Sequence, residues 1–178
     1  GTQSGDGGFI ETSSRNQLEA TGSASASATN GAPGEWLIDP NNITISGVNP
    51  DANITTGPNF TSTSDGAIIQ NTTIQTQLDA GTDVTITTAS AAPNAQDGNI
   101  TVNAVISKTA GPSTSLELKA INSIILNSID PSTGVVIEST NNALNVSMIA
   151  DIDGDGAGGI EMQSNTLIDT LGGDVVMQ

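Results

Sequence analysis

Three stretches decide the fold: Asp83-Val84-Thr85-Ile86-Thr87, Asn99-Ile100-Thr101-Val102 and Leu144-Asn145-Val146-Ser147-Met148. In each, aliphatic residues alternate with Thr, Ser or Asn. Successive side chains of a strand point to opposite faces, so this period of two predicts a half-buried β-strand. The same pattern recurs at Asn42–Ile45, Ser115–Leu118, Ser123–Leu126, Val135–Ile137, Gly159–Met162 and Asp174–Met177. Shorter strands are expected near Ile106 and around Ile124 and Ile137. Turn chemistry separates them at Gly81-Thr82, Asp97-Gly98, Ala110-Gly111-Pro112, Asp130-Pro131, Asn141-Asn142 and Gly172-Gly173. Helical periodicity is almost absent. The class is therefore all-β.

The spacing of the strands narrows the class. Val84 to Ile100, Ile100 to Leu116 and Leu144 to Ile160 are each 16 residues, and Ile160 to Val175 is 15. Loose self-similarity of this kind predicts a right-handed parallel β-helix, a solenoid in which each coil pairs with the next. Inward positions would hold Ile, Val, Leu and Ala, and outward ones Thr, Ser, Asn and Asp. With coils of roughly 20–25 residues, the chain would form about seven to nine, or about 35–45 Å of rod. A β-sandwich is the rival architecture. Residues 1–35 read as irregular N-terminal coils with a small-residue loop, and 36–178 as one continuous shaft. Within the shaft, 49–66 reads as a projecting Pro/Gly/Asn-rich loop.

Composition removes most functional classes. The chain has 178 residues, 19 acidic against 3 basic, a formal charge of −16, and no Cys, His or Tyr. Disulfides, Cys/His zinc sites and His-dependent triads are therefore excluded. Nucleic acid is an implausible partner for so acidic a chain, and an anionic membrane surface repels it too. No apolar run is long enough to span a bilayer, so no membrane insertion is expected. The aromatic share is 2%, too low for a sugar-cleaving groove, and no catalytic residue is expected. The chain opens Gly1-Thr2-Gln3 without Met, which reads as an internal or matured piece.

The sharpest chemical feature is Asp151-Ile152-Asp153-Gly154-Asp155-Gly156, followed by Glu161. Alternate carboxylates closed by Gly supply the hard oxygen ligands of a calcium loop. Glu161 falls one position short of the bidentate glutamate of an EF-hand, and the flanks read as strands. Two readings stay open: a non-EF calcium site of Asp151, Asp153, Asp155 and Glu161, or an acidic turn bonded to its own backbone. No other cofactor is expected.

Sequons begin at Asn42, Asn53, Asn59, Asn71, Asn99 and Asn145. Asn53 and Asn59, in the loop-rich stretch, are the glycosylation candidates; a chain this rich in Asn, Ser and Thr also produces sequons by composition alone. Trp36, the only Trp, reads as an apolar plug at a coil edge. Lys108 and Lys119 read as solvated surface.

Two segments carry a resemblance. Gly7-Gly8-Phe9-Ile10-Glu11-Thr12-Ser13 is followed by Gly34-Glu35-Trp36-Leu37-Ile38-Asp39-Pro40-Asn41-Asn42-Ile43. The pair resembles a junction in filamentous-haemagglutinin-like exoproteins, the large bacterial adhesins of two-partner secretion. Gly81–Thr88, Gly98–Val102, Leu116–Ala120 and Ile168–Val175 fit the same pattern more generically. Ser14-Arg15-Asn16 departs from it, where Gly and a short strand usually follow. The resemblance implies a β-solenoid shaft segment of a protein secreted to, or displayed on, the surface of a Gram-negative bacterium or cyanobacterium. It also implies attachment to a host-cell, surface or glycan receptor, and export by an outer-membrane transporter that recognises a region outside this chain. The alternative is a self-assembling extracellular filament subunit that stacks head-to-tail through open solenoid ends.

Overall fold

A computed structural model of the chain describes residues 9–12, 35–38, 41–88, 96–129, 132 and 134–178, with backbone alone for the first two segments. The elements begin with β1 (Phe9–Thr12), β2 (Glu35–Ile38), β3 (Ile43–Ser46), β4 (Asn59–Thr61) and β5 (Ala67–Gln70). Then come α1 (Asn71–Asp79), β6 (Val84–Thr87), β7 (Ile100–Asn103), β8 (Ile106–Lys108) and β9 (Thr114–Lys119). Last are β10 (Ile124–Leu126), β11 (Val135–Ser139), β12 (Leu144–Ile149), β13 (Ile160–Met162), β14 (Leu167–Asp169) and β15 (Val175–Met177). The small-residue loop of 20–34, the Trp36 side chain and the Asp130-Pro131 turn lie outside the described residues.

Strands form at every alternating stretch quoted above, and they pair in parallel. A first sheet has the order β5-β3-β7-β10-β13, a second β8-β11-β14, and a third β4-β6-β9-β12-β15. Strands β1 and β2 form a separate parallel pair. From β7 onward the chain visits the first, second and third sheets in turn, three times over. The 16-residue step therefore joins different sheets: Val84 and Leu116 are partners in the third, while Ile100 lies in the first. The true recurrence is longer. Leu116 pairs with Val146 and Val146 with Val175, steps of 30 and 29 residues. Ile106 pairs with Ile137 and Ile137 with Ile168, both 31 residues apart. The coil length expected from the sequence, 20–25 residues, is thus replaced by a recurrence of about 30, seen three times from β7 onward among the described residues. The five strands of the third sheet span four spacings, about 19 Å.

Inward positions stack like on like. Val84, Leu116 and Val146 form one column, and Ile86, Leu118 and Met148 the next, all buried. In the first sheet, Ile43, Ile100 and Ile124 form a column beside Ile45, Val102 and Leu126. Burying each such side chain stabilises the fold by about 1.5–3 kcal/mol. The alternation seen in the sequence is this inward–outward choice.

The sequence pattern does not foretell α1. Asn71-Thr72-Thr73-Ile74-Gln75-Thr76-Gln77-Leu78-Asp79 is poor in helix formers, since Thr and Asn rank low. Ile74 and Leu78, one turn apart, are its buried face. Tertiary bonds hold the rest. Asn71 Nδ2 and Gln75 Nε2 both donate to the Val105 carbonyl, at 2.8 and 3.2 Å. Asp51 accepts the Gln70 N–H at 2.6 Å and the Thr73 hydroxyl at 2.8 Å. The helix packs on β8 and also touches β5, β6 and β9. A helix is about 10 Å wide, the room of two strands. That accounts for the order β5-β3-β7: β3 fills the second strand place beside the helix, between two strands that follow it in sequence.

The 49–66 segment is more ordered than a projecting loop. It contains β4, and Phe60 is fully buried. Ala52 exchanges both main-chain bonds with Ile68 of β5, at 3.0 and 2.8 Å. The Thr55 N–H bonds the Thr61 carbonyl of β4 at 2.9 Å. Asp51–Thr55 thus runs along the outer edges of β5 and β4. At the opposite end, β13, β14 and β15 each pair on one side only among the described residues.

Leu78→Ala removes one of the two buried anchors of α1. It is expected to cost about 2–5 kcal/mol in urea unfolding; a loss under 1 kcal/mol would show that the helix is not part of the core.

Candidate functional site

The acidic turn links β12 to β13. The structure brings Asp151, Asp153 and Asp155 together, with one carboxylate oxygen from each within 4.8 Å of the others. Glu161 is not in this group; it sits on β13 opposite Ile125. Asp151 adopts φ 53°, and its carboxylate oxygens both lie 3.2 Å from the Gly156 N–H they accept. Asp155 Oδ1 accepts the Ala157 N–H at 2.7 Å. Gly158, at φ 93°, runs so close to the Asn122 carbonyl that a Cβ would lie 2.3 Å from that oxygen, so only Gly fits. The turn bonds its own backbone, and clustered carboxylate oxygens are the donor type that a hard cation takes.

The sequons sort by structural role. Asn42 Oδ1 accepts the Asn99 N–H at 2.8 Å, and Asn99 Oδ1 accepts the Ser123 N–H at 2.9 Å. Ser123 Oγ accepts the Gly159 N–H at 3.3 Å. Each of these residues immediately precedes its strand in the first sheet. The third sheet has a matching ladder: Asp83 Oδ1 takes the Ser115 N–H at 2.8 Å, and Asn145 Oδ1 takes the Asp174 N–H at 3.0 Å. At Asn42 and Asn99, Asn-Ile-Thr thus opens a strand with a side-chain oxygen for the next circuit, an inward aliphatic and an outward hydroxyl, while Asn145 accepts from inside β12. The signal was present as Asn directly before the alternation. Asn71 is committed to α1. Asn53 and Asn59 are exposed, and Asn53 Nδ2 donates to the Asp65 carbonyl at 2.9 Å.

Lys108 corrects its sequence reading. It is fully buried at the end of β8. Its ammonium donates to the carbonyls of Ala110 at 2.7 Å, Asn141 at 2.6 Å and Gly111 at 3.4 Å. A buried charge is tolerated only with such partners, so Lys108 pins two successive turns. Lys119 is a surface cation, 3.0 Å from Glu117 and partly exposed. Such a pair contributes little.

Beside Lys108, Asp79 ties the end of α1 to the turn after β8. Its carboxylate accepts the Thr109 N–H at 2.8 Å, the Thr109 hydroxyl at 2.9 Å and the Ala110 N–H at 3.0 Å. Burial raises the Asp79 pKa, but the bonds from Ala110 and Thr109 and the charge of Lys108 outweigh it, so the carboxyl titrates below its ordinary value.

An open groove of about 480 Å³ crosses the outer face of the third sheet, lined by Asp83, Ser115, Glu117, Asn145, Ser147 and Asp174 among others. It is a shallow surface that mixes these polar groups with Val84, Leu116, Val146 and Val176. Among the described residues, no helix is long and apolar enough to cross a membrane. No protein-family model matches the chain, and no curated protein matches it either.

Asp79 sets a pH window. Its folded pKa is depressed, so its contribution is complete above the ordinary aspartate range and is lost as pH falls below about 4. The stability gap between the native chain and Asp79→Asn is expected to hold from pH 7 to about 5 and shrink toward pH 2.5. A gap unchanged at pH 2.5 would contradict this.

Proposed function

We propose that the chain is a length of right-handed parallel β-helix serving as a structural and adhesive shaft. The observation that carries this reading is the cyclic visit to three parallel sheets, with aliphatic columns inside and side-chain ladders at the strand openings. A chain that crosses from strand to parallel strand does so right-handedly. Such a rod suits a mechanical role, since each circuit contacts only its neighbours and length is added without redesign. Its outer faces are polar and acidic, fit for display in water.

The resemblance at Gly7–Ser13 and Gly34–Ile43 sets the context we favour: a filamentous-haemagglutinin-like exoprotein, exported through an outer-membrane transporter and held at or released from the cell surface. Loops and outer faces would then meet a host-cell, surface or glycan receptor. No catalytic role is assigned. In the source organism, antibody against this chain is expected to label intact cells, and deletion of the partner transporter gene is expected to abolish the label. Labelling that survives the deletion would overturn the secretion route, and labelling only of lysed cells would overturn the surface role.

At the acidic turn we favour calcium, held by Asp151, Asp153 and Asp155. Titration with calcium chloride is expected to release heat and raise the melting temperature, and Asp153→Asn is expected to abolish both. No heat and no thermal shift would leave a self-bonded turn. Asn59 and Asn53 remain the proposed glycan acceptors, because the ladder asparagines are engaged in the fold.

A further inference from the structure

Aspartate followed by glycine is a dipeptide that can react with itself. The glycine nitrogen closes on the aspartate side-chain carbon to form a five-membered succinimide, because no Cβ shields that nitrogen and the two groups are already tethered. Four such pairs lie among the described residues: Asp65-Gly66, Asp97-Gly98, Asp153-Gly154 and Asp155-Gly156. The attacking residue is glycine in each, so the dipeptide alone does not separate them. The fold does.

Three of the four are held. The Gly154 N–H donates to the Asp151 carbonyl at 3.1 Å, and the Gly156 N–H to the Asp151 carboxylate at 3.2 Å. An N–H engaged in a hydrogen bond must give that bond up before its nitrogen attacks. Gly98 is buried, and its carbonyl accepts the Asn122 N–H at 3.2 Å and the Thr88 hydroxyl at 2.9 Å. A Cβ there would lie 2.9 Å from the Ile121 Cβ, so the Asp97-Gly98 peptide has no room to turn.

Asp65-Gly66 is placed otherwise. Ala52 bridges Ile68 and Ile54 bridges Ser62, both antiparallel. Asn53 alone thus faces the stretch Thr63–Ala67, which forms a bulge in the pairing. Asn53 holds that bulge at two points: its carbonyl accepts the Thr63 N–H at 2.8 Å, and its Nδ2 donates to the Asp65 carbonyl at 2.9 Å. The next peptide is not held. Among the described residues, the Gly66 N–H donates no hydrogen bond and the Asp65 carboxylate accepts none. Both residues are exposed, Gly66 stands at φ 71°, and a Cβ there would meet nothing within 4 Å. The Asp65 side chain can therefore swing onto the Gly66 nitrogen without displacing a neighbour.

We infer that Asp65-Gly66 is a self-modification site, at which the chain forms a succinimide and reopens it to isoaspartate. The steps need no co-reactant but water. The Gly66 nitrogen bonds to the Asp65 Cγ and loses its proton, and the Cγ hydroxyl leaves with that proton as water. Water then adds back. Addition at Cγ restores aspartate. Addition at the main-chain carbonyl carbon of Asp65 breaks its bond to the Gly66 nitrogen, so that the chain now runs through Cβ and Cγ. The main chain becomes one methylene longer just ahead of Ile68, whose N–H and carbonyl both bond Ala52. Isomerisation thereby loosens the cover over the outer edge of β5.

Ageing the native chain in near-neutral buffer, followed by peptide mapping with fragmentation that distinguishes isoaspartate, tests this. More than half of the isoaspartate formed at the four pairs is expected at residue 65, preceded by a species lighter by one water. Asp65→Asn is expected to reach the same product faster, through loss of ammonia, and Asp65→Glu to form none at that position. In the urea-unfolded chain the preference for residue 65 is expected to vanish. The inference is overturned if residue 65 isomerises no faster than the other three in the folded chain. It is equally overturned if the lead of residue 65 persists in urea, since the fold would then not select it. In the aged chain the Ala52 and Ile68 amides are expected to exchange with solvent faster than in fresh chain; unchanged exchange at both would overturn the loosening of the β5 edge.

Discussion

A strand edge is a row of N–H and C=O groups that must find partners, and a chain with few large side chains has little else to bind it together. This protein meets that constraint by laying each circuit on the one before, in parallel and in register. Everything else follows from the register. Because Leu116 sits over Val84 and Val146 over Leu116, the core becomes a set of aliphatic columns. Because strand openings of the first sheet also align, one side-chain oxygen per layer there meets one backbone N–H of the next. The acidic composition is a consequence as well, since Asp and Asn suit the turns that this geometry repeats.

The ladder changes the meaning of several residues. Asn42, Asn99 and Asn145 look like modification motifs when read as isolated triplets. In the fold, each hands a carbonyl oxygen to the following circuit. Lys108 follows similar logic at the end of the second sheet. Turns that approach each other place several carbonyls in one spot, and a single ammonium satisfies them. An acidic chain keeps that one cation inside, where no acid could serve.

Strands were legible because period-two alternation is a local property, and at Val84–Thr87, Thr114–Lys119 and Leu144–Ile149 the fold honours it residue by residue. The period of the circuit was not legible, because the 16-residue step is real but joins strands of different sheets. Sequence spacing records the step and not the sheet. Helix α1 was hidden for a different reason. Its stability resides in Ile74, Leu78, Asp51 and Val105, which are spread over 55 residues, and hardly at all in its own propensities. Three of the four carboxylates at the acidic turn come together as their spacing suggests, while Glu161 is carried off by its place in β13.

Strand β3 sits between β5 and β7, both of which follow it in the chain. During synthesis it must wait, with both edges open, until about sixty later residues have emerged. The first end can therefore not zip up in sequence order as the later circuits can. Once closed, the arrangement acts as a mechanical anchor. Tension applied ahead of Asn41 does not peel a terminal layer; it loads two parallel ladders at once, in shear, along the whole length of a strand clamped on both sides.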